Sequence, residues 1–163
     1  MINRRLFVCA TAGAVGGAAS GLHGLAWAHH GWSSFDQDRP LFLEGRAQGV
    51  KWRNPQVEFT LEMSSPLRLP AELAQRSLPA QSAQVDGRAL LAKASLPNRR
   101  DPRWEIELAP LSRLEQWKVP PMSNGASVAV LGFGFAGEKG EPLLRAEYLF
   151  LDGKTYGLRS APM

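Results

Sequence analysis

A chain of 163 residues with 44% hydrophobic and 21% charged residues is long enough for one packed domain and too apolar for a disordered tail. Its formal charge of +4 falls to +2 without Arg4 and Arg5, too weak a balance to argue for a nucleic-acid partner. The single cysteine, Cys9, stands before all the strand-like sequence, which excludes a disulfide framework and thiolate metal centres.

The chain opens as an export signal. Asn3-Arg4-Arg5-Leu6-Phe7 is a basic start of twin-arginine form, and a weakly apolar, glycine-rich run follows from Cys9 to Leu25. Ala26-Trp27-Ala28 has the small-x-small form of a cleavage site. Glycines and serines in the run argue against an uncleaved anchor. Residues 1–28 are therefore expected to be removed. Residues 29–163 then form a single periplasmic or otherwise exported domain with no stable membrane association.

The first strand expected is Leu41 to Trp52. Its inward residues begin at odd positions (Leu41, Leu43) and end at even ones (Val50, Trp52), so a bulge or bend belongs between Gly45 and Gly49. Gln56 to Met63 then alternates strictly, apolar at every odd position, as a half-buried strand does. Trp104 to Leu108 repeats the pattern at even positions and is a candidate neighbour for it. Between them, residues 64–103 are rich in proline and lack a period. They read as a long loop insertion, mobile or loosely packed, with short helices at Leu69 to Leu78 and Ala89 to Ala94.

Ser112-Arg113-Leu114-Glu115 has the form of a capping box opening a short helix that Pro120-Pro121 stops. Strands follow at Ser127 to Phe135 and Leu143 to Leu151, and Asp152-Gly153 turns the chain into Lys154 to Leu158. A bulged first strand and a helix between the third and fourth suggest a mainly β fold. The expected form is a small closed or partly open Greek-key barrel, OB-fold-like, with a plain β-sandwich as the alternative.

Chemistry-bearing residues are sparse. After cleavage His29 carries a free α-amine, ordinarily well below lysine in pKa. That amine, the two imidazoles of His29 and His30 and the amide between them are nitrogen ligands suited to Cu(II). No histidine follows His30, so a histidine brace lacks its second arm, and any further ligand must come from Asp36, Asp38, Glu58 or Met122. Gly132-Phe133-Gly134-Phe135-Ala136-Gly137 is a literal G-x-G-x-x-G, but Glu138 to Pro142 reads as a turn where a dinucleotide site needs a helix. Glu58, Glu62, Glu105 and Glu107 fall on the polar parity of their strands and read as solvated. Trp52, Arg53, Phe59 and Trp104 read as core and its rim rather than as a stacking platform for bases or sugars. No nucleophile elbow, paired-cysteine zinc site or P-loop occurs.

His29-His30-Gly31-Trp32-Ser33, Phe35-Asp36, Leu41-x-Leu43-x-Gly45, Trp52-x-Asn54-Pro55, Trp104-Glu105-Ile106-Glu107 and Leu151-Asp152-Gly153 form a set. With it the chain resembles a family of small exported bacterial proteins of unknown function. Their mature chain starts His-His-(Gly/Ser) and carries an Asn-Pro-His-like motif, here Asn54-Pro55-Gln56. The resemblance runs over most of His29 to Gly153 apart from the insertion, and it implies no established activity. If the motif's histidine normally joins the terminal pair on a metal, Gln56 is a lost ligand here. The reading that follows is a non-enzymatic periplasmic binding or accessory module. Trp32, Asp36, Asn54 and Gln56 are its candidate ligand-contacting residues, and copper at His29 and His30 is the alternative.

Overall fold

A computed structural model describes residues 31–163. The leader expected over residues 1–28, with His29 and His30, lies outside the described residues. The sheet comprises β1 (Phe35–Lys51), β2 (Glu58–Met63), β3 (Arg103–Glu107), β4 (Ser127–Phe135), β5 (Leu143–Leu151) and β6 (Lys154–Gly157). Two short helices accompany it, α1 (Gly87–Lys93) in the insertion and α2 (Leu111–Gln116) between β3 and β4. The order is β3-β2-β1-β4-β5-β6 with antiparallel neighbours, and β3 also meets β5 in parallel. The sheet is therefore ring-like, and the fold is mainly β as the alternation predicts.

Period-two patterning places the ring's interior. Val57, Phe59 and Leu61 face inward, and Phe59 pairs with Ile106 and Leu61 with Trp104, so the two alternating segments are neighbours. Leu43, Val130, Leu144 and Leu149 fill the same interior from the other strands. Burying one such side chain is worth about 1.5–3 kcal/mol. β1 changes parity at Gly49, which has φ 57°, and its ladder with β2 slips between Gln48 and Lys51. Ala47 points into the core before this bulge; Val50 and Trp52 pack against it afterwards.

β1 is also where two ladders meet. Gly45 lies opposite Met63 on one side and Val128 on the other. A Cβ there would stand 1.9 Å from the Glu62 carbonyl oxygen, so only glycine allows the approach.

Helix α2 differs from its expected form at both ends. It begins at Leu111, and Ser112 lies inside the first turn without capping it. The Leu111 amide donates instead to Asn54 Oδ1 at 3.3 Å, so the cap comes from the β1–β2 connection. The helix stops before the two prolines. Lys118 turns left-handed at φ 54°, and the amides of Lys118 and Val119 donate to the carbonyls of Glu115 and Leu114, each at 2.9 Å. This is a Schellman ending with lysine where glycine is cheapest.

The insertion differs most. It is packed, because the outer face of β1, β4 and β5 is apolar as well. Phe42, Leu131 and Tyr148 on that face meet Leu73 and Leu91 of the insertion in a second buried cluster. The helix expected from Leu69 shrinks to a turn at Leu73–Gln75, while α1 forms with Asp86 as its cap. Backbone bonds between Phe42 and Ser95 (2.9 Å) and between Ser82 and Ala161 (2.9 Å) tie both flanks of α1 down.

A buried carboxylate closes the last gap. Glu138, in the β4–β5 turn, accepts from the amides of Asn98 and Arg99, each at 3.0 Å, and from the Arg39 guanidinium. Burial alone would raise its pKa, but the two amides and Arg39 outweigh it and hold Glu138 below the ordinary carboxylate value.

Two stability predictions follow from these contacts. Lys118→Gly is expected to raise the urea midpoint, by an equivalent of about 0.5–1 kcal/mol, since it relieves a left-handed non-glycine residue. A lowered midpoint would mean that the lysine side chain contributes more than its backbone costs. For Glu138, ionisation favours the folded state above the ordinary value of 4.5, and that advantage is lost as the pH falls through the lower folded value. The stability gap between wild type and Glu138→Gln should be flat above about pH 5 and close on further acidification. A pH-independent gap in urea titrations would show that the clamp does not depend on charge.

Candidate functional site

The described chain begins with a single 3-10 turn, Trp32–Ser34, which delivers Trp32 onto the outer face of the sheet. The indole meets Phe35 and Phe133 edge-on, with ring centres 6.5 and 6.3 Å away. Phe35 in turn stacks on Phe135 at 5.2 Å, so the strand entry is pinned by aromatic contacts.

Two guanidiniums close on the same indole. Arg159 lies 3.6 Å from the Trp32 ring centre and Arg145 lies 5.1 Å away. Each is backed by a buried carboxylate. Arg145 Nη1 donates to Glu107 at 2.9 Å. Arg159 holds Glu147 through Nε at 2.8 Å and Nη2 at 2.7 Å. The fork of donors and the planar, weakly hydrated cation are what let arginine bind a carboxylate with its edge and an aromatic ring with its face. Gln81 Nε2 donates to the other oxygen of Glu147 at 3.2 Å, and Gln37 Oε1 accepts from Arg159 at 3.2 Å. Gln37 Nε2 reaches back to the Trp32 carbonyl at 3.3 Å, which closes the network.

The strands explain why these groups converge. The β4–β5 ladder slips between Leu131 and Gly132, and Glu147 is the residue of β5 left without a ladder partner. Arg145 stands opposite Glu107 across the parallel β3–β5 contact. The expectation that Glu107 is solvated is thus corrected: its strand face is outward, but Arg145 and the chain entry cover it, leaving it 2% exposed. Its strand-mate Glu105 stays half-buried and accepts from Thr60 Oγ1 at 2.8 Å. No signal in the local alternation distinguishes the two.

Beside Arg159 and Gln37 lies a hollow of about 280 Å³, walled by Phe133, Leu90, Lys93 and Asp86. The four residues expected to contact a ligand do not share this place. Trp32 stands just before β1 and Asp36 at its start, where Asp36 Oδ1 accepts the Asp38 amide at 3.2 Å. Asn54 and Gln56 lie beyond the other end of this 17-residue strand. Asn54 is spent capping α2. Gln56 is 6% exposed, and its Nε2 has no hydrogen-bond partner among the described residues.

The other expected features fall as follows. Gly132 and Gly134 belong to β4 and Gly137 to the turn after it, so the glycine motif serves the sheet. Phe59 and Trp104 are core, with Trp52 packed on its rim. Met122 is buried with them, and Glu58 pairs with Lys51 at 3.5 Å. Among the described residues no three His, Cys, Asp or Glu side chains gather as a metal-binding group. No helix among them is long and apolar enough to cross a membrane.

A family model described as a family of unknown function (DUF6152) matches residues 18–99. The match takes in nearly all of the insertion and ends before β3. No curated protein matches the chain.

The two kinds of ion pair should separate on mutation. Glu147→Gln leaves the half-buried Arg159 without its counter-charge and is expected to cost about 3 kcal/mol. Glu62→Gln, in an exposed pair with Arg103 at 3.3 Å, should cost less than about 0.5 kcal/mol. Urea unfolding of the two variants checks both; equal effects would show that the Trp32 network is no more buried in solution than a surface pair.

Proposed function

The chain belongs to this family of unknown function, and from that premise we propose that it is an exported, periplasmic binding or accessory module rather than an enzyme. Its ligand is met at the N-terminal segment His29 to Asp36. The observation that carries this reading is the clasp on Trp32. Two guanidiniums, each neutralised by a buried carboxylate, are committed to one aromatic residue of that segment, beside a hollow flanked by Gln37 and Arg159.

Copper binding is the second reading, supported by the chemistry of the sequence. A free amine on His29 and the imidazoles of His29 and His30 supply nitrogen ligands of the kind Cu(II) prefers, three and two residues upstream of the anchored Trp32. Intact mass of the exported protein locates its first residue, and a start other than His29 ends the amine-chelate idea. Cu(II) titration followed by tryptophan fluorescence then compares that protein with its His29→Ala/His30→Ala variant. Saturation at one equivalent, weakened about 100-fold or more in the variant, supports copper. Equal weak quenching in both rejects it. The binding-module reading is tested by a thermal-shift screen of periplasmic small molecules and peptides. At least one hit should lose its effect in Trp32→Ala; if every hit persists there, the ligand is not met at this segment.

A further inference from the structure

The outer face of the sheet is tiled from one end. Trp32, Phe35 and Phe133 close the first part, and the insertion covers Phe42, Leu131 and Tyr148 in the middle. The next row out is Glu44, Ala129, Phe150 and Thr155, each opposite its neighbour across β1, β4, β5 and β6. Beyond it Arg46 stands opposite Ser127. Ala129 and Ser127 are short while their flanking side chains are long, so the row is concave. With Arg76 of the insertion on one bank and the β5–β6 turn on the other, it forms a groove of about 700 Å³. That is the size of clefts that take small organic ligands.

We propose that this groove binds a zwitterionic small molecule, an amino acid or short peptide with free ends. Both signs of charge face it and neither is used up. Arg46 is aimed by a bond from Nη1 to the Gly125 carbonyl at 3.0 Å. Arg76 lies over the Phe150 ring at 5.0 Å and, among the described residues, is paired only with Glu72, at 3.2 Å, a carboxylate standing 66% in solvent. An exposed pair of that kind is worth little, so a ligand carboxylate displaces it readily. Glu44, Asp152 and Lys154 also line the groove and form no ion pair among the described residues. A simple anion would satisfy the bases and face repulsion from the two acids, and a simple cation would do the reverse. A carboxylate and an ammonium on one short carbon frame answer both sets.

The experiment is a titration of the isotope-labelled protein with alanyl-alanine, followed by backbone amide NMR. Saturable shifts are expected at Ser127, Ala129 and Thr155. Affinity should fall about tenfold in Arg46→Gln/Lys154→Gln and again in Glu44→Gln/Asp152→Asn, since each pair removes charge-assisted bonds to one end of the ligand. These are surface substitutions, and unchanged spectra away from the groove would show that the variants fold. No saturable shift, or equal affinity for the dipeptide with both ends capped, overturns the proposal. Equal binding of inorganic phosphate also overturns it, in favour of a plain anion site.

Discussion

β1 has to serve two ladders at once. Its first part pairs with β4 and its later part with β2, and Gly45 carries both registers. Where the two ladders overlap at Gly45, the β2 backbone comes too close for a Cβ to fit. The strand must also turn its inward face by one residue partway along. Gly45 meets the first requirement by lacking a Cβ, and Gly49 meets the second at φ 57°. The ring, its interior core and the parallel contact of β3 with β5 all follow from that bend.

Closing the ring creates a second problem, because the strands are apolar on both faces. Leu41 and Leu43 point inward while Phe42 points outward, and β4 repeats this with Val130 and Leu131. The outer apolar surface needs a cover, and the long insertion and the chain entry supply it. This is why a proline-rich segment with no period of its own is ordered: its leucines are held by the sheet, and its backbone by bonds to β1 and to the C-terminal residues. The cover also explains the buried charges. Glu107 and Glu147 sit on outward positions that would be wet on an open sheet, and covering them requires arginine partners. Those same arginines then hold Trp32, so the anchoring of the N-terminal segment is a consequence of how the outer face is sealed.

Much of this frame is legible in the residues. The bounds of β4 and β5 follow from their apolar runs and from the turn signals around Glu138-Lys139-Gly140-Glu141 and Asp152-Gly153. The latter pair takes left-handed angles of 51° and 73°, as a tight hairpin demands. The pairing of β2 with β3 follows from their shared alternation across a long gap. Less legible is whatever depends on a partner far away in the chain. Ser112 to Glu115 has the letters of a capping box, yet Asn54, 57 residues away from Leu111, does the capping. Glu105 and Glu107 occupy equivalent places in one alternating strand, and only distant partners separate them: Thr60 leaves Glu105 half-buried, while Arg145, itself under Trp32, covers Glu107. The four residues expected to meet a ligand are close in motif and separated by the whole of β1.

The sequence by itself determined the mainly β class, the parity of each strand, the bend in the first one and the stock of possible ligands. Each of these is local: it depends on neighbours two to five residues away, through backbone geometry and the alternation of the pleat. The tertiary structure alone decided which outward positions are covered, where the arginines find carboxylates, and where the outer face is left as a groove. Those outcomes depend on the order in which distant segments lie side by side, and that order is set by the closure of the ring, which no short stretch encodes.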